Sequence, residues 1–134
     1  MKVIGIAASP RCGRVSKDRF NMIMNTEEIM SSIYEIGYEG EVSNSESLLL
    51  SAMWGAHKEG ADVEIIYPGD PIPKFDGVVL SSPVYFGDRS SILHDFITTT
   101  NLKNKAVGVV SSGAKRNGGQ ETTNIYALYD CLDQ

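Results

Sequence analysis

The chain has few cysteines and no long hydrophobic run, and each shortage excludes a class of protein. Only Cys12 and Cys131 occur among 134 residues, too few for a disulfide framework or for an all-cysteine iron–sulfur site within one chain. No apolar stretch reaches the length of a transmembrane helix, and the apolar N-terminus is too short for a signal peptide. We therefore expect a cytoplasmic protein with no membrane partner.

The chain also lacks the excess of positive charge that nucleic-acid partners require. Twelve lysines and arginines against seventeen aspartates and glutamates give a formal charge of −5 at pH 7, with no long basic run.

His57 and His94 lie far apart in helical patterns, so we predict no metal site. The apolar fraction of 42% is that of an ordinary globular protein, and a chain of this length is expected to form a single domain over residues 1–134.

Short runs rich in valine and isoleucine alternate with helical patterns along the chain. The runs that predict buried strands cover residues 2–7, 62–67, 77–80 and 106–110. Helices are predicted over residues 47–59, 90–98 and 122–132. The apolar side of the last helix would consist of Ile125, Leu128, Tyr129 and Leu132. Because strands that alternate with helices form parallel βαβ units, the pattern predicts an α/β doubly wound sheet.

Two segments depart from a minimal version of this pattern. Residues from about 14 to 43 form an insertion, in which NTEEIMSSIYEIG predicts a helix with Asn25 as N-cap and Glu28 completing a capping box. The apolar stripe of that helix would consist of Ile29, Met30, Ile33 and Tyr34. The second segment, residues 68–77, contains three prolines, which exclude a regular helix and predict a short loop in place of the second crossover.

Three loops follow predicted strands at the edge of the sheet where ligands of open α/β folds bind. The first, SPRCG, offers the Ser9 hydroxyl, the Arg11 guanidinium and close backbone approach at Gly13, all of which suit a phosphate monoester. A generic strand-to-helix turn is the alternative. The second, SSPVYFGDRSS, places Tyr85 and Phe86 in a loop. An aromatic pair there indicates contact with a flat ring, unless both rings pack beneath the loop.

The third loop, SSGAKRNGGQETT, is rich in glycine. Its backbone offers several free N–H donors, with Ser112, Asn117 and Gln120 alongside. A flexible connector is the alternative interpretation.

Together the three loops resemble those of the flavodoxin-like NADPH-dependent FMN reductase family, in particular its iron–sulfur flavoprotein and NAD(P)H:quinone reductase branch. The sequences SSPVYFG and NGGQETT carry the resemblance, which covers the chain except for the insertion. It implies a flavodoxin-like doubly wound parallel sheet, truncated to about four strands in the order 2-1-3-4. It also implies FMN as cofactor, NAD(P)H as electron donor and a quinone or other electron acceptor. The alternatives are a flavodoxin-type electron carrier and a flavin-free interaction subunit with a degenerate site.

The sequence also departs from the family in two places. The family's cysteine motif would fall between the second and third strands, where this chain has no cysteine, so we predict no iron–sulfur cluster. Family members continue through a fifth strand and helix, whose absence would leave the fourth strand with an open edge. We therefore expect a homo-oligomer or a complex with a second chain, and a small-molecule or protein electron acceptor as a further partner.

The phosphate loop of the family is divided in this chain by the insertion. The family motif is Ser-Pro-Arg followed after one or two residues by Gly-Asn-Ser or Gly-Asn-Thr and the first helix. Here Ser9 and Arg11 precede the insertion, whereas Asn44 and Ser45 follow it. A competing alignment ends the loop at GRVSKD and makes Ser16 the phosphate ligand. We favour the divided loop, because Ser45 directly precedes the strong pattern of the first helix.

The resemblance thus implies an FMN site built from all three loops. Its predicted residues are Ser9, Arg11, Gly13, Asn44, Ser45, Pro83, Val84, Tyr85, Phe86, Gly87, Ser112, Gly113, Asn117, Gly118 and Gly119. No side chain is predicted to act as a catalytic acid or base, because the flavin supplies the chemistry. Cys12, within the first loop, is interpreted as a structural spectator.

Overall fold

A parallel β-sheet forms the centre of the computed structural model, which describes residues 1–11, 13–38, 40 and 42–134. The strands are β1 (Lys2–Ala7), β2 (Asp62–Ile66), β3 (Gly77–Pro83) and β4 (Ala106–Ser112). Within the described residues the strand order is β2-β1-β3-β4, and each neighbouring pair is parallel. This is the flavodoxin-like doubly wound sheet that the sequence predicts, with its direction of winding reversed between β1 and β3. Cys12 lies outside the described residues, and so does the interpretation of its thiol.

The helices of the described residues are α1 (Lys17–Met24), α2 (Ile29–Tyr38), α3 (Asn44–Lys58), α4 (Ser91–Thr99) and α5 (Gln120–Leu132). Serine hydroxyls begin three of them, because Ser16, Ser43 and Ser90 each accept a hydrogen bond from the backbone N–H three residues later. The cap at Ser43 starts α3 three residues before its predicted start at residue 47. Each of the described helices is too short or too polar to cross a membrane.

Separate apolar clusters cover the two faces of the sheet. One cluster joins β1 and β3 to α4 and includes Ile4, Leu80, Leu93 and Ile97. The other joins β1 to α1, α2 and α3 and includes Ile23, Ile36, Leu49 and Met53. Since β1 contributes to both clusters, its run of apolar residues does not alternate with polar ones.

Gly5 sets how closely α3 approaches the sheet. A Cβ atom at this position would lie 2.9 Å from both Leu49 Cδ1 and Met53 Sδ, closer than packed atoms can come. The absence of a side chain on β1 therefore lets α3 lie directly over the central strands, and it fixes where the N-terminus of α3 meets the end of β1.

The inserted segment differs in detail from its prediction. It contains α1 as well as the predicted helix α2, and Asn25, the predicted N-cap of α2, is the C-cap of α1. Glu28 caps α2 instead, with its carboxylate accepting from the N–H groups of Met30 at 2.6 Å and Ser31 at 3.0 Å. The hydrogen bond from the Ser31 hydroxyl, followed by those from the two N–H groups, lowers the pKa of Glu28.

The predicted apolar stripe faces the core only in part in α2 and not at all in α5. In α2 the stripe was wrong at Met30 and Tyr34, which are exposed, whereas Ile36 is buried. The core face of α2 also includes Ile29 and Ile33. In α5 the predicted apolar side is exposed throughout, with 40% to 80% of each side chain accessible at Ile125, Leu128, Tyr129 and Leu132. That helix buries Thr123 and Ala127, because small residues let it lie close to the sheet.

Candidate functional site

A cavity of about 470 Å³ opens at the carboxyl ends of β1, β3 and β4. It lies beside the point where the strand order reverses, which is where doubly wound sheets bind their ligands. Its volume is within the range of small-molecule and cofactor sites. Its lining consists of Ser9, Arg11, Gly40, Val42, Ser43, Asn44, Ser45, Pro83, Val84, Tyr85, Ser112, Gly113 and Ala114.

Both parts of the divided phosphate loop line this cavity. Ser9 and Arg11 reach it from the end of β1, and Asn44 and Ser45 reach it from the start of α3. Ser16, the alternative ligand, caps α1 and lines a different cavity of about 480 Å³ beside β2. The structure therefore brings Ser45, and not Ser16, to the same cavity as Ser9 and Arg11.

The end of the cavity that is lined by Ser9, Arg11, Asn44 and Ser45 suits an anion. Arg11 is the cation among the described lining residues, and none of those residues is acidic. The N-terminus of α3 points its positive dipole end here. Ser43 Oγ accepts the N–H of Glu46 at 3.2 Å, which leaves the preceding N–H groups of Asn44 and Ser45 available to a ligand. Backbone donors, serine hydroxyls and one guanidinium form the combination that binds phosphate at helix N-termini.

One tyrosine hydroxyl links the start of α3 to the inserted segment. Tyr67 Oη donates to Glu46 Oε1 at 2.5 Å and accepts from the backbone N–H of Val15 at 3.0 Å. Glu46 and Tyr67 are both buried. Tyr67 follows β2, Val15 lies at the start of the insertion, and Glu46 lies in the first turn of α3. The two bonds therefore fix these three chain segments relative to one another.

An ion pair supports the same junction from outside. Arg14 donates to both carboxylate oxygens of Asp70, at 2.9 and 2.7 Å, and its guanidinium lies 4.8 Å from the centre of the Tyr67 ring. The carboxylate of Asp70 also accepts from the backbone N–H of Tyr67 at 3.1 Å. The hydrogen bonds from Arg14, followed by the bond from the Tyr67 N–H, lower the pKa of Asp70.

The opposite wall of the cavity is formed by the loops after β3 and β4. Pro83, Val84 and Tyr85 line it on one side, and Ser112 and its two neighbours line it on the other. The N–H of Val84 donates to the carbonyl of Ser112 at 2.9 Å, so the two loops are joined. Tyr85 is 41% exposed, which leaves the ring available to a ligand.

Six of the predicted site residues lie outside the described lining of the cavity. They are Gly13, Phe86, Gly87, Asn117, Gly118 and Gly119.

The later part of the glycine-rich loop, residues 115–120, folds on itself outside the cavity lining. Gln120 accepts from the N–H of Gly118 at 2.8 Å and donates to the carbonyl of Lys115 at 2.9 Å. Gly119, with φ of +105°, packs its backbone on Gly87, where a Cβ would lie 2.7 Å from the Gly87 Cα. Within the described residues these glycines permit close packing of two loops.

The sequence reasoning missed four lining residues: Gly40, Val42, Ser43 and Ala114. Ser43 had a detectable signal, because Ser43 and Glu46 have the spacing of a capping box. No local pattern indicates that Gly40 and Val42 return to the cavity, since their position depends on the path of the whole insertion.

The fold and the cavity define a flavodoxin-like α/β protein with a site suited to a phosphate-bearing ligand. Comparison with known proteins specifies the family further. The model of the NADPH-dependent FMN reductase family matches residues 1–125, and the chain belongs to this family. Its general class is therefore that of a flavin oxidoreductase, and FMN with NAD(P)H as electron donor are the expected cofactor and donor of that family.

Individual relatives show the same affiliation. An iron–sulfur flavoprotein of Methanocaldococcus jannaschii is 38% identical over 136 residues, an alignment that covers 92% of this chain and 67% of the relative. The iron–sulfur flavoprotein of Methanosarcina thermophila is 30% identical over 154 residues, with 98% and 73% covered. A quinone oxidoreductase of Triphysaria versicolor is 31% identical over 87 residues, with 60% and 41% covered. The predicted absence of an iron–sulfur cluster in this chain stays a prediction.

Proposed function

We propose that the protein is an FMN-dependent reductase that uses NAD(P)H to reduce a quinone or another small electron acceptor. The observation that supports this most strongly is the meeting of both parts of the divided phosphate loop at one cavity, even though the insertion separates them in sequence. Ser9 and Ser45 are both buried and line the same cavity, which supports a phosphate site that the insertion has left intact.

The residues present fit the phosphate of FMN. The hydroxyls of Ser9 and Ser45, the guanidinium of Arg11 and the N–H groups at the start of α3 would hold it. Ser45 is 1% exposed, and its hydroxyl meets Ser43 Oγ at 3.3 Å, a long contact that leaves its hydrogen-bonding capacity mostly unused. A dianionic phosphate would complete these bonds, and no acidic side chain among the described lining residues would oppose it.

The loops after β3 and β4 would hold the flavin ring between them. Tyr85 offers an aromatic surface, and Val84 and Pro83 offer an apolar one. When bound, FMN mediates the transfer of a hydride equivalent from NAD(P)H to the acceptor. With a quinone, the overall reaction consumes NAD(P)H and one proton and yields NAD(P)⁺ and the hydroquinone. The residues of this chain would contribute binding, orientation and exclusion of water from the enclosed side of the ring.

Paired serine variants test the assignment. Ser45→Ala should weaken FMN binding by roughly 5- to 150-fold, which corresponds to about 1–3 kcal/mol for a hydrogen bond to a charged phosphate. Ser16→Ala removes the same serine hydroxyl at a position away from the cavity, where it caps α1, and serves as the control. Titration of FMN fluorescence measures both affinities. A silent Ser45→Ala with a damaging Ser16→Ala would show that the divided loop is the wrong alignment.

A steady-state assay tests the reaction itself. FMN-loaded protein should oxidise NADH or NADPH in the presence of a soluble quinone, and Ser45→Ala should need a higher FMN concentration for half-maximal rate. Tight FMN binding without any oxidation of NADH or NADPH would contradict the reductase and favour a flavodoxin-type carrier.

A further inference from the structure

Ser90 lies outside the cavity lining but is bonded to the end of β1. Its hydroxyl donates to the carbonyl of Ala8 at 2.6 Å and accepts the backbone N–H of Leu93 at 3.2 Å, the bond that caps α4. Since Leu93 supplies a donor and Ala8 an acceptor, the direction of the hydroxyl proton is fixed. Ser90 is 3% exposed and Ala8 is fully buried, so the bond between them is shielded from water.

Ala8 immediately precedes Ser9, the first serine of the divided phosphate loop. The parallel pairing of β1 with β3 ends at Ala7 and Ser81, so Ala8 lies beyond the last pair of that ladder. The hydroxyl of Ser90 therefore extends the attachment of β1 to the residue next to the proposed phosphate ligand. Ser9 Oγ accepts the N–H of Arg11 at 3.2 Å, which leaves the hydroxyl proton of Ser9 for a ligand.

The backbone of Ser90 is bonded to the opposite wall of the cavity. Its N–H donates to Ser82 Oγ at 2.8 Å, and the hydroxyl of Ser82 donates to the carbonyl of Pro83 at 2.7 Å. Ser82 is fully buried, and Pro83 lines the cavity. Through its hydroxyl and its N–H, Ser90 thus joins the segment that carries Ser9 to the segment that carries Pro83.

The loop between Pro83 and Ser90 contains a closed turn. The N–H of Tyr85 donates to the carbonyl of Asp88 at 2.9 Å, and the N–H of Asp88 donates back to the carbonyl of Tyr85 at 3.0 Å. The two residues between them have φ angles of +51° and +77°, as in a type I′ turn. Because Tyr85 lines the cavity, the turn ties a second part of this wall to the segment that Ser90 anchors.

We propose that Ser90 is a positioning residue that fixes the phosphate-binding end of the cavity relative to the wall that holds the flavin ring. This inference rests on the proposed function. FMN would contact both regions at once, so its affinity depends on their being correctly placed before it binds. Riboflavin has the same ring but no phosphate, so its affinity does not depend on where Ser9 is placed.

The ratio of FMN affinity to riboflavin affinity tests this role. Ser90→Ala deletes the donor to Ala8 and should lower the ratio by about 3- to 10-fold relative to the wild type, because FMN alone uses the phosphate site. Ser90→Thr keeps the hydroxyl and should stay within roughly 2-fold of the wild type. Fluorescence titration with each flavin measures the ratio, and a Ser90→Thr ratio as low as that of Ser90→Ala would contradict a role for the hydroxyl.

Ser81→Ala is the matched control. The Ser81 hydroxyl donates to the carbonyl of Ile6 at 2.8 Å and is equally buried, but Ile6 lies within the paired part of β1 and β3. Ser81→Ala should lower the melting temperature by about 2–5 °C, as the loss of a buried hydrogen bond does, and should leave the flavin ratio within roughly 2-fold of the wild type.

A glycine variant separates the bond to Ala8 from the helix cap. Ser90→Ala removes both, whereas glycine is well tolerated as an N-cap. Ser90→Gly should therefore begin α4 nearly as well as the wild type does, which circular dichroism checks. It should nevertheless show the lowered flavin ratio of Ser90→Ala. A Ser90→Gly ratio equal to that of the wild type would overturn the proposal.

The outcomes separate this inference from the proposed function. If the wild type prefers FMN to riboflavin and Ser90→Ala lowers both affinities equally, or neither, the inference is wrong and the proposed function stands. A wild type that binds FMN no more tightly than riboflavin would contradict the phosphate site and this inference together. If the wild type binds neither flavin, the proposed function fails and the inference fails with it.

Discussion

Removing the hydroxyl of Tyr67 should loosen the junction that holds the divided phosphate loop. Tyr67→Phe deletes the oxygen that donates to Glu46 Oε1 at 2.5 Å and accepts from the Val15 N–H at 3.0 Å. Glu46 is fully buried, so water cannot easily replace the lost donor. The loss of a buried hydrogen bond to a carboxylate costs about 1–3 kcal/mol.

This free energy translates into a measurable shift in melting temperature. An unfolding entropy of about 2.1 cal/mol/K per residue makes 1 kcal/mol equivalent to about 3.5 °C for a chain of this length. Tyr67→Phe should therefore melt about 4–11 °C below the wild type by circular dichroism or calorimetry. It should also bind FMN more weakly, because Glu46 lies in the first turn of α3, whose N–H groups are proposed to meet the phosphate.

The matched control is Tyr129→Phe, which removes the same atom from a side chain that is 63% exposed. Its effect should be within about 0.5 kcal/mol of zero. Equal melting temperatures for Tyr67→Phe and Tyr129→Phe would refute the conclusion that the Tyr67 hydroxyl holds the junction together.

Three further predictions concern acid stability, loop packing and assembly. Arg14 lowers the pKa of Asp70, so the stabilisation that Asp70 provides is present above its unfolded pKa of about 3.9 and is lost as the pH falls through the lower folded value. The melting temperature of Asp70→Asn should therefore approach that of the wild type in acid. Melting temperatures of the two proteins that differ by the same amount at every pH would contradict this. Gly119→Ala should destabilise the protein by about 1–3 kcal/mol because of its positive φ and the contact at 2.7 Å, whereas Gly55→Ala in α3, with nothing within 4 Å, should be neutral or stabilising in chemical denaturation. We propose that the exposed apolar side of α5 mediates self-association. Light scattering should then give a mass above that of one chain for the wild type and a lower mass for Tyr129→Lys. A wild-type monomer would contradict this.

The sheet could be predicted from the sequence because its strands are buried on both faces. The run from Val3 to Ala8 is apolar without alternation, and helices on both sides of β1 explain why. β1 has the predicted bounds, whereas β3 and β4 extend further, to Pro83 and Ser112. Polar residues end both strands, so hydrophobicity alone did not indicate that the ladder continues through them.

The inserted helices were harder to predict because tertiary contacts decide them. The helix α1 buries only Ile23 and Met24, both at its C-terminal end, so it has no apolar stripe to detect. In α2 the core face consists of Ile29, Ile33 and Ile36, which also have helical spacing. The sequence was therefore compatible with two overlapping stripes, and the contacts with the rest of the fold select the one that includes Ile36.

The candidate site was predicted best where a motif fixes the backbone. Ser9 and Ser45 lie on the cavity because each adjoins the end of a regular element. Phe86 was predicted to contact the flavin ring, but its side chain points to solvent. The turn that directs it there requires positive φ, and Phe-Gly is not a recognised sequence signal for such a turn. The position of that ring became apparent only from the folded loop.

Titration of the wild-type protein with FMN tests the central claim most directly. Quenching of the FMN fluorescence should saturate with one FMN per chain and an affinity in the micromolar range or tighter, and the concentrated complex should be yellow. Failure to bind FMN at any practical concentration would show that the divided loop does not close on a phosphate, and it would contradict the proposed function.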